Sequence, residues 1–231
     1  LYAVQARPEL FTAHYAFSPS LHWGDNKTVE KIITYLSSRK SLKQFIYMNL
    51  GNEIVKSEYE TTNTMAASFL RLQTFFKEHS VPGLRVKSEI LKKLPHAATN
   101  ISGLVNATNE LYRNWVLPFD AIEGGPEAIS EHYEKLSSDL YQEIQPRKGS
   151  INFAADYMTN GVHSPEKGMK LLKYNASLYP DSAWVIFNLA KGYEQREQVD
   201  LAKKYGQEAL NLINQDDEEL KSSIASFLDA L

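Results

Sequence analysis

Three short runs of bulky apolar residues alternate with amphipathic segments in the N-terminal half of the chain. The runs cover residues 11–17, 44–50 and 84–91. Residues 28–36 and 65–79, between them, carry apolar side chains at helical spacing. Strands that are joined through helices are parallel, because a parallel pair needs a crossover connection. The pattern therefore predicts an α/β domain that is built on a parallel sheet.

The predicted sheet is small, and an open edge would expose unpaired backbone N–H and C=O groups. We therefore expect further strands of the same sheet upstream of Leu1, so that this chain carries the C-terminal half of the α/β domain. Residues 1–5 look like the later part of a helix that ends at Arg7-Pro8, since proline cannot continue a helix.

The pattern changes after Phe119. Gly124-Gly125-Pro126 breaks regular structure, and no strand-like run follows it. One helical face carries the next apolar residues, which are Ile129, Tyr133, Leu136, Leu140 and Ile144. We therefore predict a sheet domain over residues 1–119, a linker and connecting helix over 120–149, and an all-α module over 150–231.

The predicted helical module contains an internal repeat with a period of 34 residues. The matching pairs are Ala155 with Leu189, Gly168 with Ala202, and Asn175 with Ala209. Small residues at such points are typical of closely packed helical hairpins. The stretch resembles the tetratricopeptide repeat in a degenerate form, with Asp156 at the family's usual glycine and Gly206 at its usual aromatic residue. Leu220, Ile224 and Phe227 predict a final capping helix.

The composition argues against several functional classes. The net charge of −3 supplies no basic field for a nucleic-acid backbone. The apolar runs are far shorter than the roughly 20 residues that span a bilayer. Cysteine is absent, so no disulfide or thiolate metal site can form, and the histidines show no ligand spacing. We expect no nucleic-acid partner, no membrane span, no metal and no cofactor.

Two ionisable side chains follow successive predicted strands. Glu53 comes directly after the second strand, and His96 follows the third. A general base belongs at the carboxyl end of a strand, where loops converge, and a nearby acid can orient its imidazole. Glu58 and Glu60 are rivals of Glu53 for the acid, and Asp25, one strand earlier, is a weaker candidate. The alternative for all of these is an ordinary loop residue with no chemical role.

Five stretches of the N-terminal part of the chain form a distinctive set, which is Leu1-Tyr2-Ala3, Arg7-Pro8-Glu9-Leu10-Phe11, Ala16-Phe17-Ser18-Pro19-Ser20-Leu21-His22-Trp23, Leu50-Gly51-Asn52-Glu53 and Pro95-His96. Through these stretches, residues 1–119 resemble the C-terminal half of an esterase family of α/β-hydrolases that includes enterobactin-type siderophore esterases. His22 departs from the family, which usually has an aromatic pair here. The family's Gly-x-Ser-x-Gly-Gly nucleophile motif immediately precedes the helix that corresponds to Leu1 onward.

The resemblance implies a serine esterase whose nucleophile lies a few residues upstream of Leu1. It implies that His96 is the catalytic base and that Glu53 is the acid, with a Ser-His pair that needs no acid as the alternative in some members. It also implies an ester substrate, with a siderophore ester as one candidate. Both oxyanion donors would also lie upstream. Trp23 and His22, on the loop after the first predicted strand, are candidates for a wall of the substrate pocket. Packing is the alternative for Trp23.

A second hypothesis is a non-catalytic interaction protein. Helical repeats present concave surfaces that bind peptides or other subunits. On this interpretation the repeats bind a peptide or a second copy of the chain, and the sheet is only a scaffold.

Overall fold

The structure, a computed structural model, describes residues 1–52, 65–213 and 217–231. The chain divides into two units. Unit 1 comprises Leu1–Trp115 and Ser137–Gln142, and unit 2 comprises Val116–Leu136 and Glu143–Leu231.

The described residues of unit 1 form three strands, which are β1 (Ala13–Phe17), β2 (Gln44–Leu50) and β3 (Leu84–Ile90). Its helices include α1 (Tyr2–Ala6), α2 (Lys27–Ser37), α3 (Met65–Glu78) and α4 (Thr99–Leu111). The predicted three strands and the helices between them are confirmed, with end shifts of one or two residues. Helix ends commonly vary by this much.

The strands form one parallel sheet in the order β1-β2-β3. Phe17 pairs with Asn49 in register, and Asn49 pairs with Glu89. Because the order is sequential, both crossovers run in the same direction and place α2 and α3 on the same face of the sheet.

The two faces of β2 are covered by different helices. Ile46, Met48 and Leu50 belong to a core that α1, α2 and α3 supply with Val4, Val29, Ile32, Leu36, Phe69, Leu72 and Phe75. The alternate residues Phe45, Tyr47 and Asn49 point to the opposite face, which α4 covers. All seven residues of β2 are buried, which is typical of a central parallel strand with helices on both sides.

Polar contacts anchor the segment Ser137–Gln142 at the N-terminal end of the sheet. Tyr141 Oη donates to the backbone carbonyl of Gln44 at 2.6 Å. Arg85 donates to the backbone carbonyl of Asp139 at 2.7 Å and to that of Glu110 at 3.0 Å. The carboxyl ends of the strands, at the other edge, have no part in these contacts.

The regular elements among the described residues of unit 2 are all helical. Its helices are α5 (Phe119–Gly124), α6 (Pro126–Leu140, which ends among residues of unit 1), α7 (Lys148–Asp156), α8 (Pro165–Leu178), α9 (Ala183–Glu194), α10 (Val199–Asn211) and α11 (Glu218–Ala230). A π-helical turn, Tyr157–Gly161, extends α7. The final helix predicted from Leu220, Ile224 and Phe227 is confirmed as α11, and Ile224 is fully buried.

Consecutive helices from α7 to α11 pack against each other. The small residues of the sequence repeat lie in these contacts, and Ala155, Ala202, Ala209 and Asn175 are all buried. A Cβ atom at Gly168 would lie 1.9 Å from Thr159 Oγ1, so only glycine permits this approach of α8 to the turn after α7. Helical hairpins are thus present, and their assignment as tetratricopeptide-like repeats stays a prediction.

Within residues 1–52, 65–213 and 217–231, no helix combines the length and the apolar character needed to cross a membrane.

Candidate functional site

The loops at the carboxyl ends of β2 and β3 are joined by backbone hydrogen bonds. Leu91 N–H donates to the carbonyl of Leu50 at 2.7 Å, which extends the strand pairing by one residue. Asn52 N–H then donates to the carbonyl of Leu94 at 2.9 Å. The segment that leaves β2 and the segment that leads to His96 are therefore held side by side at this edge.

His96 begins a single turn of 3₁₀ helix, His96–Ala98, directly before α4. Pro95 precedes it with extended backbone, φ −69° and ψ 161°, the conformation that proline allows at a helix start. The side chain of His96 is exposed. Its backbone carbonyl accepts a hydrogen bond from Thr99 Oγ1 at 2.8 Å, so the carbonyl of the turn is paired while the imidazole stands at the surface.

The predicted acid, Glu53, lies outside the described residues, and so do its rivals Glu58 and Glu60. Its chain neighbour Asn52 is described, and the Asn52–Leu94 bond holds Asn52 next to the loop that carries His96. Glu53 as the acid stays a prediction.

His22 and Trp23 lie on the loop between β1 and α2. Their rings stack, with centroids 5.9 Å apart and planes inclined by 26°. Trp23 is 68% exposed, whereas His22 is half-buried. His22 Nδ1 is buried and has no hydrogen-bond partner among the described residues. The exposed indole face at this end of β1 is compatible with the predicted pocket wall, which stays a prediction.

The same loop has an unusual backbone. Gly24, Asp25 and Asn26 are successive left-handed residues, with φ of 64°, 54° and 65°. Glycine, aspartate and asparagine are the residue types that adopt this conformation most readily. Asn26 Oδ1 accepts a hydrogen bond from Ser68 Oγ of α3 at 2.5 Å, which anchors the end of the loop where α2 begins.

Beneath the carboxyl edge lies a buried polar cluster formed by Ser18, Asn49 and Thr99. Their exposed fractions are 3%, 0% and 1%. Ser18 N–H is shared between Asn49 Oδ1 and the Asn49 backbone carbonyl, each at 3.0 Å. Asn49 Nδ2 donates to the Thr99 carbonyl at 3.0 Å. The Ser18 and Thr99 hydroxyl oxygens lie 3.1 Å apart, and Gly51 N–H donates to Ser18 Oγ at 3.2 Å.

The cluster continues along the α4 side of the sheet through Tyr47. Asn49 Nδ2 lies 3.4 Å from Tyr47 Oη, which donates to the Glu89 carboxylate. Asn106 Nδ2 also donates to that carboxylate, at 2.7 Å. Burial, together with the bond to Glu89, raises the pKa of the Tyr47 phenol well above its usual range. Tyr47 therefore stays protonated and acts as a donor at neutral pH.

Helix α4 can reach this cluster because Gly103 faces it. A Cβ atom at Gly103 would lie 2.2 Å from Asn49 Nδ2 and 2.6 Å from Phe17 Cδ1. Both distances are far inside van der Waals contact, so a larger residue would separate α4 from the sheet and weaken the Asn49–Thr99 bond.

Sequence reasoning identified His96 and the Ser18-Pro19-Ser20 stretch, but it assigned no role to Asn49 or Thr99. One signal was present in the sequence. Asn49 is a polar residue inside the otherwise apolar run from Phe45 to Leu50, and a buried amide needs hydrogen-bond partners. The identity of those partners depends on which elements pack against β2.

No group of three or more His, Asp or Glu side chains suited to a metal ion occurs in the part of the chain that the structure describes.

Comparison with known proteins identifies two similar solved structures. The first is described as an IroE-like serine hydrolase from Shewanella oneidensis, with a TM-score of 0.61 and 14% sequence identity over 77% of this chain and 55% of that chain. The second is an uncharacterised protein from Capnocytophaga ochracea, with a TM-score of 0.56 and 18% identity over 100% of this chain and 64% of that chain. No protein-family model and no curated protein matches the sequence.

This chain therefore spans 55% and 64% of the lengths of the two similar proteins. Identities of 14% and 18% show a shared fold and nothing finer. The chain has a mixed α/β fold, with a small parallel sheet that carries helices on both faces, and it is similar in fold to a structure described as a serine hydrolase.

Proposed function

We propose that this chain is part of a serine esterase that hydrolyses carboxylic esters through an acyl-enzyme. The observation that carries the proposal is the position of His96, on an exposed turn at the carboxyl edge of a sheet whose fold is shared with a serine hydrolase. In open α/β sheets, ligands bind at this edge.

The proposed reaction assigns one role to each predicted residue. A serine upstream of Leu1 attacks the ester carbonyl, and His96 accepts the serine proton as the C–O bond to the enzyme forms. His96 then gives that proton to the departing alcohol, which leaves an acyl-enzyme. Water repeats the sequence and releases the acid. Glu53, with Glu58 as its rival, orients the imidazole and stabilises its positive charge.

The substrate proposal rests on the resemblance in sequence and on the exposed loop after β1. Trp23 and His22 form one wall of the acyl or alcohol pocket, where the exposed indole face packs against a flat or apolar substrate group. A siderophore-type ester is the proposed class. Turnover of a catecholate trilactone well above that of simple p-nitrophenyl esters would support it, and the reverse preference would contradict it.

The test of the enzyme proposal uses the full-length protein that contains this chain. The protein is expected to hydrolyse p-nitrophenyl esters and to be labelled by a fluorophosphonate probe. The substitution His96→Gln should lower kcat by about 100-fold or more. His79→Gln, at an exposed histidine just after α3, is the matched control and should keep full activity. A full-length protein that neither turns over esters nor reacts with the probe would refute the proposal.

The acid is tested separately. Glu53→Gln, Glu58→Gln, Glu60→Gln and Asp25→Asn are compared in the same full-length protein, and only the substitution at the true acid should lower kcat strongly. If none of the four changes kcat more than about twofold, the enzyme works with a Ser-His pair.

A second candidate function, a peptide-binding or self-associating helical module, is favoured by a cavity in unit 2. The cavity has a volume of about 170 Å³ and is lined mainly by polar side chains, including Asn152, Asp156, Asn160, Asn188, Lys191 and Gln195. Asn152 Oδ1 is buried and lacks a hydrogen-bond partner among the described residues, so one lining residue carries an acceptor whose hydrogen-bonding capacity is unused.

The second candidate is tested by peptide-array screening with the whole chain, followed by fluorescence anisotropy on any hit. Binding at the cavity should be weakened about tenfold or more by Lys191→Ala and left unchanged by Lys203→Ala, at an exposed lysine of α10. Equal effects of the two substitutions would exclude this cavity as the binding site.

A further inference from the structure

We infer that Thr99 and Ser18 are positioning residues for His96: their buried hydroxyl groups, on backbone segments that Asn49 bridges, set the position of the turn that carries the imidazole. The inference rests on the proposed esterase function, because the position of His96 matters only if His96 is the catalytic base.

The first argument is the direction of the hydrogen-bond chain. Gly51 N–H donates to Ser18 Oγ, Ser18 and Thr99 share one hydroxyl–hydroxyl bond, and Thr99 Oγ1 lies 2.8 Å from the His96 carbonyl. A hydroxyl has one hydrogen. If Thr99 donates to His96, Ser18 must donate to Thr99, and Gly51 supplies the bond that Ser18 accepts. Every member of the chain is then satisfied.

The second argument is burial. Both hydroxyl groups belong to side chains that are no more than 3% exposed, although the histidine that they support is at the surface. Hydrogen bonds in a dry environment are stronger, and an unpaired group there is costly. The chain of bonds therefore resists displacement of the His96 turn more than a solvated loop would.

The third argument is the bridging role of Asn49. Its side chain accepts from Ser18 N–H at the end of β1 and donates to the Thr99 carbonyl at the start of α4. One amide of β2 thus links the end of β1 to the start of α4 and fixes the distance between them. The bond from Asn52 N–H to the Leu94 carbonyl holds the loop after β3, which leads to His96, against the end of β2.

Precise placement of a base matters for rate more than for substrate binding. A displacement of about 1 Å at the reacting groups can cost about 100-fold in rate. Loss of a positioning hydroxyl should therefore appear in kcat and not in KM.

The experiment compares Thr99→Val with Thr99→Ser in the full-length protein. Valine keeps the shape of threonine and removes the hydroxyl, so kcat for a p-nitrophenyl ester should fall about 10- to 100-fold while KM changes less than about threefold. Serine restores the hydroxyl and should return kcat to within about threefold of the parent. Thr108→Val is the matched control, since Thr108 lies on the same helix as Thr99 and its hydroxyl contacts Tyr15 of β1. It should leave kcat unchanged.

The outcomes separate the inference from the proposal on which it rests. An inactive parent refutes the esterase proposal. An active parent whose Thr99→Val variant keeps full kcat refutes the positioning role alone. If Thr99→Val fails to fold, Ser18→Ala takes its place: a fall in kcat of at least about fivefold at constant KM supports the inference, and an unchanged kcat overturns it.

Discussion

Asn49 Oδ1 accepts a hydrogen bond from the backbone N–H of Ser18 at 3.0 Å. The two residues lie at the ends of neighbouring parallel strands and are 31 positions apart in the chain. Because Asn49 also donates to the Thr99 carbonyl, both halves of its amide are used. Only one orientation of the amide therefore satisfies both bonds. Substitutions at Asn49 and at Ser18 test this arrangement separately.

Asn49→Asp keeps the acceptor for Ser18 N–H and turns the donor into a second acceptor that faces the Thr99 carbonyl. We expect the free energy of unfolding at pH 7 to fall by about 3 kcal/mol. Burial raises the folded-state pKa of the new carboxyl above the unfolded value of about 3.9. The loss should therefore be small below pH 4 and should grow as the pH rises.

Urea denaturation at pH 4 and pH 7 measures both values. Asn100→Asp is the control, because Asn100 is exposed in the first turn of α4, where a negative charge is favourable. Equal losses for Asn49→Asp at the two pH values would show that Nδ2 is not a buried donor.

Ser18 has φ of 38°, a left-handed conformation that side chains rarely adopt. Ser18→Ala and Ser18→Gly both remove the hydroxyl, so the difference between their free energies of unfolding reports the cost of the left-handed backbone conformation. We expect the glycine variant to be more stable by about 0.5 to 1 kcal/mol. Ser102, inside α4, is the control position, and there Ser102→Gly should be less stable than Ser102→Ala by about 1 kcal/mol. Thermal unfolding of the four variants checks the reversal of order, and the same order at both positions would contradict it.

The buried phenol of Tyr47 links stability to alkaline pH. Burial and Glu89 raise its pKa in the folded state, so its contribution is complete below the unfolded value of about 10 and is lost as the pH rises above it. Tyr47→Phe should cost about 1 kcal/mol at pH 7 through the lost hydrogen bond. The difference between the variant and the parent should shrink above pH 10.

Denaturant titrations at pH 7 and above pH 10 test this expectation. Tyr2→Phe serves as the control, because Tyr2 is 82% exposed, and it should change stability at neither pH. A constant difference between Tyr47→Phe and the parent at all pH values would rule out the linkage.

The approach of α8 to the turn after α7 requires Gly168. A Cβ atom there would lie 2.8 Å from the Ala155 carbonyl as well as 1.9 Å from Thr159 Oγ1. Gly168→Ala should lower the free energy of unfolding by about 2 kcal/mol. Gly149, in the first turn of α7, has no atom within 4 Å of its Cβ position. Gly149→Ala should therefore be neutral or stabilising by about 0.5 kcal/mol. Similar losses for the two substitutions in denaturant unfolding would contradict close packing at Gly168.

Local patterns account for the elements that sequence reasoning predicted well. The strand over 44–50 was predicted with its observed bounds, because an apolar run of this length, between polar segments, is typical of a buried strand. The first strand begins at Ala13 and not at Phe11, and Phe11 is 57% exposed. An apolar residue such as Phe11 joins a strand only where a neighbouring strand can pair with it, and the apolar pattern does not show where that pairing begins.

The candidate site was predictable only in part. Proline before His96, at the end of an alternating run, indicates a turn at the edge of a sheet, and the structure has a 3₁₀ turn there. The partners of that turn were not predictable, because hydrogen-bonding capacity is a property of a residue type whereas the choice of partner depends on distance in space.

The sequence by itself determined the order of strands and helices, the parallel sheet and the small residues at the contacts of the helical hairpins, because periodicity and residue size act over a few neighbouring positions. Only the tertiary structure decided that Ser18 and Thr99, 81 positions apart, meet beneath His96 with Asn49 between them. That meeting depends on the register of β1 against β2 and on the close approach of α4 at Gly103. A shift of one residue in register would turn Asn49 to the other face of the sheet and dissolve the cluster.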